Sequence, residues 1–154
     1  MFTVRRANHS DRETIVRLLR QAGLSADGTD AHLENFLIVE DPVSRRELGT
    51  VGLEIYGDRG LLRSFVMESD AWNAKTGMEL IAVVLTYARK TGLKEVYLMA
   101  GITASIFEHF GFEPVDWEEL PEEIRHSAHK REVEPGEGVP MVCRNPAVRS
   151  PAEG

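Results

Sequence analysis

The chain has 154 residues, of which 42% are apolar, and this suits one folded domain with a substantial core. Its net charge of -7 argues against general binding to nucleic acid or anionic membranes, because phosphate-rich surfaces are bound by clustered lysine and arginine. A single cysteine, Cys143, excludes an internal disulfide framework and a thiolate-rich metal site.

The start of the chain predicts a strand followed by an amphipathic helix. Residues 2–6 are predicted as the strand. Ser10 with Glu13 three residues later has the pattern of a capping box that opens a helix. Apolar residues then recur at helical spacing until Gly23, which ends the run. This apolar stripe consists of Ile15, Leu18, Leu19 and Ala22.

Two strands joined by a turn are predicted to form the middle of a sheet. They follow a short helix at residues 30–34 and a strand at residues 36–39. Residues 48–56 alternate in polarity, which favours a strand with one buried face, and a turn leads to its antiparallel partner at residues 61–67. The alternation places Val51, Leu53 and Ile55 on one face and Gly52, Glu54 and Tyr56 on the other.

A long helix is the most regular element of the second half. Thr76 with Glu79 has a second capping-box pattern, and Gly92 ends the helix. Its apolar stripe predicts a side that packs in the core, and we do not interpret the stripe as a cofactor-binding motif. The stripe consists of Ile81, Val84, Leu85 and Ala88.

The remainder predicts a buried strand at residues 95–99, a short helix at 103–110 and a strand at 112–115. Beyond these the chain is acidic and rich in proline and glycine, with a helical turn at residues 120–125 and an edge strand at 139–143. The tail, residues 145–154, is predicted to be disordered.

No apolar stretch approaches the roughly 20 residues that span a bilayer. Residues 1–6 also lack the apolar core of a signal peptide. We therefore expect a cytoplasmic protein without a membrane partner, and the lone cysteine fits a reducing compartment.

The order of these elements resembles the GNAT superfamily of acyl-CoA-dependent N-acetyltransferases. Residues 107–112, Phe-Glu-His-Phe-Gly-Phe, are similar to the aromatic-Glu-x-x-Gly-Phe signature of that family. The likeness covers roughly residues 2–143. Together with residues 61–64 and 120–125, the signature looks most like small bacterial amino-acid acetyltransferases, including those associated with arsenic resistance.

The resemblance implies an α/β (α+β) fold with a mixed, mostly antiparallel sheet of six or seven strands and helices on both faces. Residues 1–144 would form one GNAT-like domain. The reaction would be direct transfer of an acetyl group from acetyl-CoA, the cosubstrate, to a primary amine of a small molecule. The acceptor would be an amino acid if Arg63 binds its carboxylate.

A helix N-terminus presents free backbone N–H groups and partial positive charge, which suit a pyrophosphate. By resemblance, the cofactor would lie between the fourth and fifth strands, with the pantetheine arm along the end of the fourth. The residues implied for cofactor binding are Phe65, Val66, Met67, Trp72, Asn73, Ala74, Lys75, Thr76, Gly77, Met78 and Phe107.

The phosphate-binding loop departs from the family pattern. That pattern reads Gln or Arg, two residues, Gly, one residue, then Gly or Ala, and here only Gly77 matches it. Trp72 stands at the first position and Lys75 at the first glycine. A side chain at Lys75 either blocks the approach of the phosphate or adds a compensating charge.

A second difference from the family concerns the group that protonates the departing thiolate. Many family members have a tyrosine that protonates it, and Phe107 at that position has no proton to give. The resemblance leaves either solvent as the proton donor or an impaired enzyme.

Four residues are candidates for the acceptor site. Glu54 is either the general base that takes the amine proton or a solvated strand carboxylate. Arg63 either binds a substrate carboxylate or makes a structural ion pair. Ser64 and Tyr56 are weaker candidates for lining the acceptor pocket.

The remaining histidines and the cysteine are not predicted to be functional. His126 and His129 have i, i+3 spacing but no clear third ligand, so we predict no metal site. His109 is expected to face solvent. Cys143 has no identifiable catalytic partner and is predicted to be a semi-buried free thiol.

Two alternatives to the small-molecule enzyme stay open. Trp72 and Lys75 favour a GNAT-fold protein that binds a ligand or another protein without turnover. A protein-lysine acetyltransferase would need an open acceptor groove, whereas residues 116–138 are long enough to cover the site. Dimers are frequent in folds of this kind, so we expect a homodimer.

Overall fold

The computed structural model describes residues 2–24, 26, 28–68, 73–100, 104–130 and 139–144. The predicted disordered tail lies outside these residues. The strands are β1 (Thr3–Arg6), β2 (Phe36–Glu40), β3 (Glu47–Tyr56), β4 (Arg59–Met67), β5 (Glu95–Ala100), β6 (Glu113–Pro114) and β7 (Val139–Arg144). The helices are α1 (Arg12–Gln21), α2 (Thr29–His32), α3 (Ala74–Lys90), α4 (Ala104–His109) and α5 (Glu122–Lys130).

The strands form one seven-stranded sheet in the order β1-β2-β3-β4-β5-β7-β6. β4 and β5 pair in parallel at Arg59–Leu61 and Glu95–Tyr97, whereas β1–β2, β2–β3, β5–β7 and β6–β7 are antiparallel. This confirms the predicted mixed, mostly antiparallel sheet with the β3–β4 hairpin in its middle.

The prediction of an edge strand at residues 139–143 is wrong, because β7 lies between β5 and β6, and the two-residue strand β6 forms this edge of the sheet. Glu113 pairs with Val142 and Pro114 with Met141, and both β6 residues are exposed. Proline has no N–H to donate, so its place at an edge leaves no inner strand without a hydrogen bond.

The chain divides into two compact units. The first contains Met1–Ile55 and Leu62–Thr76, and the second contains Tyr56–Leu61 and Gly77–Gly154. Strand β4 contributes residues to both.

The core of the first unit forms between α1 and β2. The predicted apolar stripe of α1 is confirmed for Ile15, Leu18 and Leu19, whereas Ala22 is exposed because the helix ends at Gln21. The cluster consists of Ile15, Leu18, Leu19, Leu33, Phe36, Ile38 and Val66.

The predicted capping box at Ser10 is wrong. Asn8 forms the box instead, with its side chain accepting from Ser10 N while Asp11 Oδ2 accepts from Asn8 N at 2.8 Å. Asp11 also accepts two hydrogen bonds from Arg5, at 2.7 and 2.8 Å, and these lower the pKa of its carboxyl below the usual range. The cap lies two residues earlier than predicted, because Asp11 accepts hydrogen bonds from both the Asn8 backbone and Arg5.

Strand β3 is buried on both faces from Gly49 to Glu54, so the prediction of a single buried face is wrong. Glycines admit neighbouring groups on each face. An added Cβ at Gly52 would lie 2.6 Å from the Phe36 ring, and one at Gly49 would lie 2.2 Å from Val66 O. Gly52 therefore permits close packing on the face where the alternation suggested solvent, and Gly49 permits it on the apolar face.

We expect Gly52→Ala to lower the free energy of unfolding by about 1–3 kcal/mol, because the methyl group overpacks the core against Phe36. Phe36 is fully buried, so its ring cannot move without displacing its neighbours. Urea unfolding measures the change. In the double variant Gly52→Ala/Phe36→Leu the clash is relieved, so the two effects should not add. Simple additivity would contradict this packing argument.

The second unit has its own apolar cluster. The predicted stripe of α3 is buried, and α5 packs onto β5 and β7. The helix predicted at residues 120–125 begins two residues later and is longer, since α5 has nine residues, Glu122–Lys130. The cluster consists of Leu61, Tyr97, Leu120, Ile124 and Val142, with Tyr56, Met99, Val115 and Trp117 packed against it. Among the described residues, no helix has the length and apolar character needed to cross a membrane.

Candidate functional site

A buried ion pair joins the two central strands within the first unit. Arg63 Nη1 on β4 donates to Glu54 Oε2 on β3 at 2.7 Å, and the two side chains are only 1% and 2% exposed. A desolvated charge is costly unless an opposite charge and hydrogen bonds compensate for it. Each side chain is thus a counter-ion for the other. Glu54 is not a solvated carboxylate, and the ion pair considered for Arg63 is present.

Phe36 and Gly28 lie against this pair. The guanidinium carbon of Arg63 lies 5.8 Å from the centre of the Phe36 ring, a cation–π distance. Gly28 precedes α2 with a φ of +83°, and an added Cβ there would lie 2.9 Å from Arg63 Nη1 and 3.6 Å from Glu54 Oε2. Only a residue without a side chain allows the backbone to rest this close to the pair.

Gly28 also lines an open cleft between α1 and α2. The cleft has a volume of about 810 Å³, which is within the range of small-molecule sites. Arg12 and Asp30 in its wall form an exposed ion pair. The charged residues that line it are Arg12, Glu13, Arg17, Arg20 and Asp30.

The N-terminus of α3 has a different cap from the one predicted. Asn73 Oδ1 accepts from Thr76 N at 2.9 Å, so Asn73 is the cap and the predicted box of Thr76 with Glu79 is wrong. The helix begins at Ala74, and Lys75 in its first turn is exposed. Gly77 is buried and Met78 is half-buried. A helix of 17 residues concentrates partial positive charge at this end, which favours an anion. Trp72 lies outside the described residues.

The end of β4 holds the three residues predicted to contact the pantetheine arm. Val66 is buried, and Phe65 and Met67 are half-buried. The strand remains joined to β3 on one side, since Glu68 N donates to Leu48 O at 2.7 Å. Ser64 lies in β4 beside Arg63, and its side chain is not among those described.

The other candidate residues belong to the second unit. Tyr56 packs against the apolar cluster of that unit. Phe107 on α4 is buried and meets Phe112 edge-on, with ring centres 5.7 Å apart. The Phe107 ring serves as core, and it has no hydroxyl to donate a proton.

The thiol and histidines show no reactive arrangement among the described side chains. Cys143 is buried and donates to Phe110 O at 3.8 Å, and burial raises the pKa of its thiol. His109 and His126 are exposed, whereas the His129 side chain lies outside the described set. No group of three or more His, Cys, Asp or Glu residues in the described part of the chain could hold a metal ion.

Sequence reasoning missed Gly28 and Phe36 as neighbours of the ion pair. Gly28 falls between two predicted helices, and Phe36 is only the first residue of a predicted strand. A glycine before a helix signals a positive φ, but nothing in its local pattern indicates which distant strand it contacts.

No family model matches the chain. The uncharacterized protein YwlB of Bacillus subtilis is 31% identical over 144 residues, which cover 92% of this chain and 95% of YwlB.

Several solved structures have the same fold as this chain. N-acetylglutamate synthase from Neisseria gonorrhoeae, complexed with coenzyme A and N-acetyl-glutamate, is 22% identical with a TM-score of 0.76. The match covers 94% of this chain and 35% of the synthase, so the chain spans about a third of that protein. Rv2747 from Mycobacterium tuberculosis, in complex with CoA and NLQ, is 18% identical with a TM-score of 0.74, over 92% of this chain and 98% of Rv2747. A GNAT-family acetyltransferase from Staphylococcus aureus is 15% identical with a TM-score of 0.70, over 94% of this chain and 99% of that one.

Proposed function

Because the chain belongs to the same protein family as Bacillus subtilis YwlB and has the GNAT acetyltransferase fold, we propose that residues 1–144 form an N-acetyltransferase domain. Its donor is acetyl-CoA, and its acceptor is the primary amine of a free amino acid. Solved proteins of this fold with bound coenzyme A support the donor. The observation that supports a free amino acid as the acceptor is the buried Glu54–Arg63 pair.

The pair complements the charges of an amino acid. A free amino acid carries an ammonium and a carboxylate a few bonds apart, and Glu54 and Arg63 present the opposite charges 2.7 Å apart. The acceptor carboxylate would accept from the Arg63 guanidinium while its ammonium faces Glu54. Every buried charge would then retain an opposite charge beside it, which an amine without a carboxylate cannot provide.

Acetyl-CoA supplies a thioester whose carbonyl carbon is open to attack by an amine. The C–N bond forms as the C–S bond breaks, and coenzyme A leaves as the thiolate. Glu54 takes one proton from the ammonium, directly or through a water molecule, which frees the lone pair for attack, and the second proton passes from the nitrogen to solvent as the amide forms. Phe107 cannot protonate the thiolate, so solvent supplies that proton. No covalent enzyme intermediate is needed.

The N-terminus of α3 and the end of β4 provide the donor site in this proposal. Backbone N–H groups from Ala74 onward face the pyrophosphate, aided by the helix dipole. Lys75 is exposed, so its ammonium can reach a phosphate without blocking the backbone, which favours compensation over obstruction. Phe65 to Met67 would pair with the pantetheine arm as an added strand.

Calorimetric titration is expected to show micromolar binding of acetyl-CoA, weakened by Lys75→Gly by about five- to tenfold through loss of one phosphate contact. Lys75→Arg keeps the charge and should bind like the wild type. Consumption of acetyl-CoA with a panel of free amino acids then tests the activity. Stronger binding by Lys75→Gly would show that the lysine obstructs the loop.

A binding module without turnover is the second candidate. Two observations favour it: Asn73 already occupies the Thr76 N–H, and Lys75 replaces a loop glycine. Tight binding of acetyl-CoA without consumption against any amine would support this candidate. The expected homodimer stays a prediction, which light scattering can check.

A further inference from the structure

The ring of Phe36 lies against the guanidinium of Arg63 inside the first unit. The ring is fully buried, and its centre lies 5.8 Å from the guanidinium carbon. Phe36 is the first residue of β2 and pairs with Gly52 of β3, which precedes Glu54 by two residues. Opposed residues of paired strands share a face of the sheet, and so do residues i and i+2 of one strand. The ring therefore lies on the face that carries the ion pair.

The absence of a side chain at Gly52 makes room for this ring. A Cβ there would lie 2.6 Å from Cζ of Phe36 and 2.7 Å from its Cε2, closer than real side chains pack. The ring thus covers the Gly52 backbone and extends toward Arg63. Phe36 also belongs to the apolar cluster that forms between α1 and β2, and this cluster holds the ring in place.

The ring gives the buried cation a partner other than Glu54. A cation over an aromatic face is attracted by the quadrupole of the ring, and the attraction is strongest where water is excluded. The Arg63 side chain is 1% exposed, so water does not screen the attraction here. The Phe36 ring therefore stabilises the guanidinium independently of the Glu54 carboxylate.

We propose that Phe36 is a positioning residue for the acceptor, because its ring keeps the Arg63 guanidinium in place to receive the acceptor carboxylate. This inference rests on the acetyl-transfer function proposed above and adds a residue to it. The acceptor brings its ammonium to Glu54, so the Glu54 carboxylate then divides its attraction between two cations and holds Arg63 less firmly. The contact between Arg63 and the Phe36 ring does not depend on that carboxylate.

Such a contact acts on the binding of the acceptor and leaves the chemical step alone. A side chain that is already held in its binding orientation loses less conformational freedom when the ligand arrives, and this strengthens binding. The ring attracts the guanidinium equally before and during acetyl transfer, because the reaction changes the charge at the amine nitrogen and the thioester. An interaction of this kind lowers KM without raising kcat.

Phe36→Leu should raise the KM for the free L-amino acid that the wild type acetylates best by about five- to thirtyfold, through loss of a desolvated cation–π contact. The KM for acetyl-CoA and the kcat should stay near the wild-type values. Leucine also leaves a cavity in the core, so this variant alone does not separate the charge of the ring face from packing.

Fluorinated phenylalanines at position 36 separate these two effects. Rings with one, two and three fluorines nearly keep the size of phenylalanine, but each fluorine removes negative charge from the ring face. The logarithm of the amino-acid KM should rise steadily with the number of fluorines, whereas the KM for acetyl-CoA and the kcat should not. The series also covers the case in which Phe36→Leu does not fold.

The same fluorinated residues at Phe112 provide the matched control. Phe112 is 2% exposed and lies in the second unit, where its ring meets that of Phe107 edge-on. Fluorination there changes a buried ring that packs on another ring. The amino-acid KM should therefore not follow the number of fluorines at position 112.

The acceptors are the standard free L-amino acids, and acetyl-CoA is the donor. An amino-acid KM that rises with fluorination at position 36, but not at position 112, supports the inference. A KM that ignores fluorination at position 36, rises equally at both positions, or changes in parallel with the KM for acetyl-CoA or the kcat overturns the inference alone. If the wild type consumes no acetyl-CoA with any of these acceptors, the proposed function falls and takes the inference with it.

Discussion

Arg63→Met should lower the free energy of unfolding by about 3–5 kcal/mol, because it leaves the Glu54 carboxylate buried without its counter-ion. Glu54 is 2% exposed, so water cannot replace the guanidinium. The substitution also removes the cation–π contact with Phe36. Urea unfolding followed by circular dichroism measures the loss through the midpoint at constant slope.

Two further variants separate charge from packing in this result. Glu54→Leu/Arg63→Met removes both charges and should recover most of the lost stability, as replacement of buried pairs by apolar residues often does. Arg12→Met removes the exposed partner of Asp30 and should leave the midpoint unchanged, since exposed pairs contribute little. If Arg63→Met were as harmless as Arg12→Met, the buried pair would not matter to the fold.

Glu54→Gln should reduce kcat by about 100- to 10,000-fold, the usual contribution of a general base. The amide keeps the size of the carboxylate but cannot take the amine proton. Acetyl-CoA binding should persist, because the N-terminus of α3 does not depend on this side chain. Steady-state rates at saturating acetyl-CoA, measured well below the unfolding temperature of the variant, test the effect.

Glu40→Gln provides the matched control for that loss. Glu40 is also a buried carboxylate in the first unit, paired with Arg5 at 3.2 Å, but it lies on β2 and does not contact the Glu54–Arg63 pair. It should destabilise the protein while leaving kcat near the wild-type value. If Glu54→Gln also kept its kcat, Glu54 would have a structural role and the base would be another group.

Elements with a strong local pattern could be predicted from the sequence. The stripes of α1 and α3 follow helical spacing, and the β3–β4 hairpin follows alternation around Gly57. The caps lie earlier than predicted at both helices, because Asn8 and Asn73 accept from the backbone N–H groups of Ser10 and Thr76, the residues that the pattern chose as caps. Cap geometry depends on tertiary partners such as Arg5, which a local motif does not contain.

The candidate site shows the same division between local and distant information. Alternation placed Glu54 and Arg63 on central strands, but it could not show that they meet. Their contact depends on the pairing of β3 with β4, and their burial depends on Phe36 and Gly28 from other parts of the chain. Such contacts become visible only once the sheet is assembled.

The two-residue strand β6 also affects how this protein behaves at high concentration. Open sheet edges recruit strands from other molecules, and such stacking begins aggregation. In β6, Glu113 adds a negative charge that repels the same edge of another molecule, and Pro114 has no backbone N–H to donate. A neighbouring molecule therefore finds almost no template there, so this side of the sheet resists the edge-to-edge growth that leads to fibrils.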